Sequence, residues 1–262
     1  MAKIFLSIPV LDKPELQSMH SIMMAAQSCR DHSIKLYYNE NDSLISRVRN
    51  VHISEFLLNH TDYDYFMSID CDIEVVNRYA SNNIFSKLVA HNMDFVGGLY
   101  ALKKAVYPVQ CSSVPMDRST EIKFDSGLIE MLWLSTGCWC LTREAVQKMA
   151  DAYPELLYDG DDNASYKKVY AFYKPDIFDM EQGGNKFRKY LSEDWAFVER
   201  WRNIGGKVYA DTSIVLKHYG KIPFALWNVK VQARTLDTTA NHALPEENDS
   251  LPMAGFDLNG GQ

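Results

Sequence analysis

Apolar positions along this chain alternate between two rhythms. Short runs rich in β-branched and aromatic residues give way to longer stretches where apolar side chains return every third or fourth position. Residues 3–10, KIFLSIPV, read as a buried strand running into a loop bounded by Pro9 and Pro14, and the second proline suits the opening of a helix. Leu16, Met19, Ile22, Met23 and Ala26 recur at helical spacing over residues 15–29. A second strand is expected at 34–39 and a second helix at 43–58, with Leu44, Ile45, Val48, Val51 and Phe56 inside. A third apolar run follows from Asp64 to Ile69. Strand, helix, strand, helix, strand is the order of a parallel sheet with helices on both faces. The right-handed crossover then puts the loops after strands one and three near the same edge. Ligands bind at that carboxyl edge.

Downstream, the pattern predicts a short helix over 83–91 and a strand over 94–100, where Gly97 and Gly98 permit a close approach to the backbone. Further strands are expected at 107–111, 128–134 and 138–141, and Thr142 caps a helix over 143–152. The least regular stretch, 153–187, is rich in Asp, Tyr, Lys and Gly. Such a segment is expected to be a functional loop, mobile alone and ordered over a ligand. Ser192 then caps a helix with Glu193 and Asp194 in its first turn, and Gly205-Gly206 stops it. Strands at 207–210 and 214–216 close on His218. The expectation is one α/β domain over 1–221 with a mostly parallel central sheet flanked by helices. A C-terminal extension, 222–262, is expected to be partly extended or disordered.

Composition narrows the function. With 262 residues, 47% hydrophobic and 12% aromatic, the chain can bury a full core. Its five cysteines lie in apolar segments, not at scaffold spacing, which predicts reduced core thiols. A formal charge of -7 argues against a broad electrostatic grip on nucleic acid. Neither a secretion signal nor a membrane span is visible, so a cytoplasmic protein is expected, in a bacterial cell or a phage- or virus-infected host.

The third run ends unusually, in Asp70, Asp72 and Glu74 at alternate positions. On a regular strand Asp70 and Asp72 project to the same side, where they repel. They are either solvated in an acidic turn or neutralised by a hard divalent cation, Mg²⁺ or Mn²⁺, shared with substrate phosphates.

With these segments in hand, the chain resembles the nucleotide-sugar glycosyltransferases of the GT-A fold. Ile69-Asp70-Cys71-Asp72-Ile73 looks like their Asp-x-Asp motif, Ser192-Glu193-Asp194-Trp195 like their acidic acceptor-side motif, and Lys217-His218-Tyr219-Gly220 like the late His that joins the metal. Ser46-Arg47-Val48-Arg49-Asn50 and Gly97-Gly98-Leu99-Tyr100 also look like segments of bacterial, phage and large-virus members. The likeness spans roughly Lys3 to Gly220.

The resemblance implies a Rossmann-like GT-A domain that moves a sugar, preferably from a UDP-sugar donor, to a hydroxyl acceptor on a glycan, lipid, protein or modified DNA base. It implies Mn²⁺ or Mg²⁺ on Asp72, with His218 as a second ligand and Asp70 on ribose or a metal-bound water. Donor contacts are expected from Ser7, Pro9, Asn39, Arg49, Asp70, Asp72 and Gly98. Asp194 is expected as the general base of an inverting transfer, with Glu193 able to exchange roles with it. Trp133, Trp139 and Trp195 offer apolar faces for sugars, although core packing suits at least two of them. Other readings are glycosylation of a hydroxymethylated base in phage DNA, through a groove lined by residues such as Lys103, Lys168 and Arg188, a nucleotidyltransferase, or a non-catalytic sugar-nucleotide-binding domain.

Overall fold

The computed structural model describes residues 1–220 except 12, 40, 41, 105–109, 161–165 and 183, together with the backbone of 223–225 and 232–233. Its main elements are β1 (Lys3–Ile8), α1 (Leu16–Ser28), β2 (Ser33–Tyr38), α2 (Ile45–Leu58), β3 (Tyr65–Ile69), β4 (Ile73–Val75), α3 (Ile84–Ala90), β5 (Phe95–Gly98), β6 (Val114–Pro115), β7 (Leu128–Trp133) and β8 (Cys138–Thr142). After them come α4 (Arg143–Ala152), β9 (Asp176–Gln182), β10 (Asn185–Leu191), α5 (Glu193–Asn203), β11 (Tyr209–Asp211) and β12 (Leu216–Tyr219). The central sheet has eight strands in the order β2-β1-β3-β8-β5-β11-β7-β6. Strands β1, β2, β3, β5, β6 and β11 point one way, and only β7 and β8 run against them. The fold is therefore α/β with a mixed, mostly parallel sheet, as the alternation of elements predicts.

Alternation along each strand divides the apolar residues between two cores. Phe5, Phe66, Trp139 and Leu141 face a cluster with Phe56, Met149 and Phe197. Ile4, Leu6, Met67, Cys138 and Cys140 face another with Ile22, Ala25 and Phe85. The sheet is thus covered on both sides, by α2, α4 and α5 on one and by α1 and α3 on the other. Arg143 at the start of α4 donates to the carbonyls of Phe56 at 3.1 Å and His60 at 2.6 Å, satisfying groups that the end of α2 leaves unpaired.

Several local expectations are corrected. Strand β3 stops at Ile69, Asp70 to Asp72 form a turn, and the chain re-enters as β4 in a separate three-stranded sheet, between β4 and residues 223–225 of which β12 lies. The acids are therefore not on one regular strand. Glu74 leaves the group altogether, accepting from Tyr219 Oη at 2.6 Å and pairing with Lys217 and Arg78. The stretch taken as an irregular loop holds two antiparallel ribbons, Leu157–Asp159 with Lys168–Tyr170 and the hairpin β9–β10. It is anchored by the buried Phe172 and Tyr173, and Gly184 turns the hairpin at φ +80°. Ser192 precedes α5 in an extended conformation but makes no side-chain capping bond. Of the expected extension, residues 232–233 pair in parallel with Gln110–Cys111, and 234–262 lie outside the described residues.

A buried histidine follows from this packing. His52 on α2 is 0% exposed, its Nδ1 lies 2.7 Å from Ser7 Oγ, and its Nε2 has no partner. Burial and the nearby charge of Arg49 lower its pKa to about 3. The folded state therefore refuses a proton that the unfolded chain binds below its ordinary value, so this contribution is full above about pH 6.5 and is lost as pH falls toward about 3. From about pH 7 to about pH 4 the cost is about 3 kcal/mol. Urea denaturation at the two pH values should show the difference shrinking by about that amount in His52→Gln. An unchanged pH dependence would reject the neutral buried imidazole.

Candidate functional site

The turn between β3 and β4 sits at the carboxyl edge of the central sheet, where the two sheets meet. Backbone bonds fix it: Asp70 N–H donates to Gly137 O at 2.8 Å, Ile73 N–H to Asp70 O at 3.0 Å, and Tyr219 N–H to Asp72 O at 2.8 Å. The first holds the turn to the 135–137 loop between β7 and β8, and the last brings β12, with His218, alongside Asp72. The antiparallel β8 is what puts Thr136 and Gly137 here. The glycines serve close packing. A Cβ on Gly137 would lie 2.6 Å from the Tyr100 hydroxyl, and one on Gly98 2.9 Å from both Ile214 and Leu216.

Asp72 and His218 form one half of the site. His218 Nδ1 lies 2.8 Å from Ala101 O, and since a carbonyl only accepts, Nδ1 carries the proton and Nε2 turns to Asp72. Nε2 is 3.5 Å from Asp72 Oδ1, an atom that is buried and lacks a hydrogen-bond partner. Asp72 Oδ2 accepts from Lys103 Nζ at 2.5 Å. Burial opposes the Asp72 charge, but His218 and Lys103 outweigh it and hold its carboxyl at about 2. Among the described residues no group of three or more His, Cys, Asp or Glu side chains is placed to hold a metal. A cation on Asp72 and His218 would therefore need phosphate or water oxygens as well, the usual arrangement for Mg²⁺. The unpartnered oxygens Asp70 Oδ1 and Asp72 Oδ1 fit such a guest.

The other half is a buried network on Arg49, whose side chain is 5% exposed. Its Nη2 donates to Asp70 Oδ2 at 2.9 Å and its Nη1 to Thr136 O at 3.0 Å. Thr136 Oγ1 donates in turn to Asp194 Oδ1. Burial works against the guanidinium charge, yet Asp70 and Asp194 keep its pKa well above the ordinary value. Asp70 is raised by burial, with Asp72 and Asp194 adding to it against the pull of Arg49. Burial, then the charge of Asp194, also raises Glu193.

Of the residues singled out in sequence, Asp70, Asp72, His218, Arg49, Glu193 and Asp194 come together. Arg49 is spent on protein acceptors beneath the site, not held open for a diphosphate, and Arg47 pairs with Asp42 at the surface. Ser7 turns into the layer beneath α2 to meet His52. Asn39 forms a reciprocal pair with the backbone of Val10, at 3.2 and 3.1 Å, which pins the loop after the buried Pro9. Trp133 and Trp139 are core residues. Trp195 is half-buried and stacks on Trp133 at 4.5 Å.

Thr136 and Tyr100 have no sequence signal beyond the break Ser135-Thr136-Gly137 and the paired glycines. The buried thiols are inert, Cys138 being pushed up to about 12 by burial. No helix among the described residues is long and apolar enough to cross a membrane.

No protein-family model and no curated protein matches the chain. Among solved structures it is similar to A197 from STIV, with 19% identity and a TM-score of 0.50 over 90% of this chain and 98% of that one. It is also similar to a glycosyltransferase involved in the glycosylation of the major capsid of PBCV-1, with 14% identity and a TM-score of 0.33 over 62% of this chain and 69% of that one. A further match is apo UDP-glucose pyrophosphorylase, with 8% identity and a TM-score of 0.34 over 74% of this chain and 57% of that one. The first likeness bears on the fold alone, and the other two are too distant to carry an argument. The sheet topology and the contacts at this turn together define a Rossmann-like α/β protein with carboxylates gathered at the carboxyl edge of its sheet.

The Arg49 network makes a prediction about stability. Arg49→Met strands the Asp70 carboxylate in a mostly buried position, which should lower unfolding free energy by roughly 3 kcal/mol near neutral pH, the low end for breaking such a pair. Adding Asp70→Asn should recover most of that loss. Urea denaturation of the two variants checks it, and a near-silent Arg49→Met would show that the pair does not hold the turn.

Proposed function

We propose that this chain is a metal-dependent glycosyltransferase of GT-A type, moving a sugar from a nucleotide-sugar donor, UDP-sugar favoured, to a hydroxyl acceptor with inversion at the anomeric carbon. The observation that carries the reading is the gathering of Asp72 and His218 at the turn whose Asp70 is joined, through Arg49 and Thr136, to Asp194. Bound there, Mn²⁺ or Mg²⁺ supplies Lewis-acid neutralisation of the diphosphate leaving group.

The remaining roles belong to side chains. Asp72 and His218 hold the cation side, and Ala101 O keeps His218 in the tautomer that offers Nε2. Asp194, with Oδ1 occupied by the Thr136 hydroxyl, presents its other oxygen to the acceptor. In the transfer the acceptor oxygen bonds to the anomeric carbon, the bond from that carbon to the diphosphate breaks, and the acceptor proton passes to Asp194. Glu193 stands beside it, its carboxyl raised by burial and by the charge of Asp194. The acceptor is a hydroxyl of a glycan, lipid or protein. A DNA acceptor has less support, since the formal charge of -7 argues against a broad electrostatic grip on nucleic acid.

A screen of common sugar nucleotides with Mn²⁺, read by release of the nucleoside diphosphate, tests the reading. Asp72→Ala should lower turnover by orders of magnitude with the fold kept, because water poorly replaces an anionic ligand on a hard cation. Full turnover in excess chelator would remove the metal from the mechanism.

Asp194→Asn separates binding from chemistry. Donor and metal affinity should stay near wild type while transfer slows by about 100-fold or more. Product that retains the donor's anomeric configuration by NMR would take the base role away from Asp194.

A further inference from the structure

We propose that Lys103 is a built-in cation that neutralises Asp72 until a divalent ion arrives, and that its displaced ammonium then binds the donor's diphosphate. This rests on the metal reading above. Three observations on one short segment lead to it. Lys103 Nζ takes Asp72 Oδ2 at 2.5 Å, leaving on that carboxylate only Oδ1, the buried oxygen that faces His218. Two residues earlier, Ala101 O accepts the His218 Nδ1 proton, so the same segment orients one candidate ligand and occupies the other. The segment is tied down at its backbone, where Leu102 N–H donates to Gln110 O and Lys104 N–H to Leu102 O, both at 2.7 Å.

The Lys103 side chain is 39% exposed and Asp72 30%. A partly hydrated ammonium on a flexible stem can leave its partner at small cost. Arg49, the other cation at this turn, cannot move in this way, because it is buried and both of its terminal nitrogens are engaged. A divalent ion has the stronger claim on a carboxylate. The ammonium it expels remains tethered at the site, where phosphate oxygens would be the available anions, and a lysine binds these as a point charge.

The test uses the full chain and two probes that need no knowledge of the donor base. Mn²⁺ binding without nucleotide, read from the loss of the free-ion EPR signal, should tighten by about five-fold in Lys103→Met, the scale of an exposed ion pair. Pyrophosphate binding with saturating Mg²⁺, read by calorimetry, should weaken by about ten-fold in the same variant, the scale of a charge-assisted hydrogen bond. Lys103→Gln provides a second neutral variant should the thermal midpoint of Lys103→Met fall. Unchanged Mn²⁺ affinity, or unchanged pyrophosphate affinity, in a folded neutral variant overturns the proposal. Asp72→Asn tells that failure apart from failure of the metal reading. Loss of Mn²⁺ binding there keeps the metal site while discarding the role of Lys103, whereas Mn²⁺ binding equal to wild type discards both.

Discussion

A guanidinium excluded from water needs an anion against it, and the turn after β3 is built around that need. Arg49 enters from α2 beneath the sheet edge, and the Asp70 carboxylate and the Thr136 carbonyl are what it meets. These two acceptors come from segments far apart in sequence, so one buried charge fixes the end of β3 relative to the loop before β8. The Thr136 hydroxyl extends the hold to Asp194. Removing the guanidinium would leave two acids facing one another in a poorly solvated space, a state far costlier than the pair itself.

The sheet supplies the frame for this pair. Strand β8 runs against its neighbours β3 and β5, which brings the loop that precedes it back to the carboxyl edge where β3 ends. The chain then leaves the large sheet for the small one within three residues. That leaves a turn with backbone donors and acceptors tied to Gly137 and Tyr219 and with its acids turned toward the junction. An all-parallel arrangement would have put the 135–137 loop at the opposite edge, with Thr136 out of reach of Arg49.

Much of this was legible in sequence because it depends on periodicity. The first three strands and first two helices fall close to the spans their pattern predicts, and α4 occupies the span its cap and apolar stripe predict. The buried positions differ, however: α1 turns Leu16 and Met23 to solvent and buries Ser18, Ser21, Ile22 and Ala25, Leu44 is exposed ahead of α2, and β2 buries none of its residues. Asp72, Asp194 and His218 were singled out through the resemblance of their segments to motifs of the GT-A enzymes. What the sequence hid depends on tertiary contacts instead. The reversal of β8 leaves no trace in an apolar run, since buried strands look alike in either direction. Ser7 and Asn39 resemble ligand-binding polar residues at strand ends, yet one is satisfied by His52 and the other by Val10, partners that only packing reveals. The hairpin β9–β10 was taken for a loop because its exposed face is so polar that alternation is diluted.

The two acids of the Asp-x-Asp stretch show why a motif does not assign roles by itself. They stand two residues apart, both partly buried, yet Asp70 is pushed above the ordinary carboxylate range and Asp72 is held well below it. Both lose hydration, so burial does not separate them. Their neighbours do. Asp70 shares Arg49 with Asp194 and lies near the charges of both Asp72 and Asp194, whereas Asp72 has Lys103 on one oxygen and His218 3.5 Å from the other. Environment has split a symmetrical pair, as happens where two carboxyl groups serve different ends. Asp72 is the acid held ionised, beside Lys103 and His218, while Asp70 is bound to Arg49 in the wall next to it.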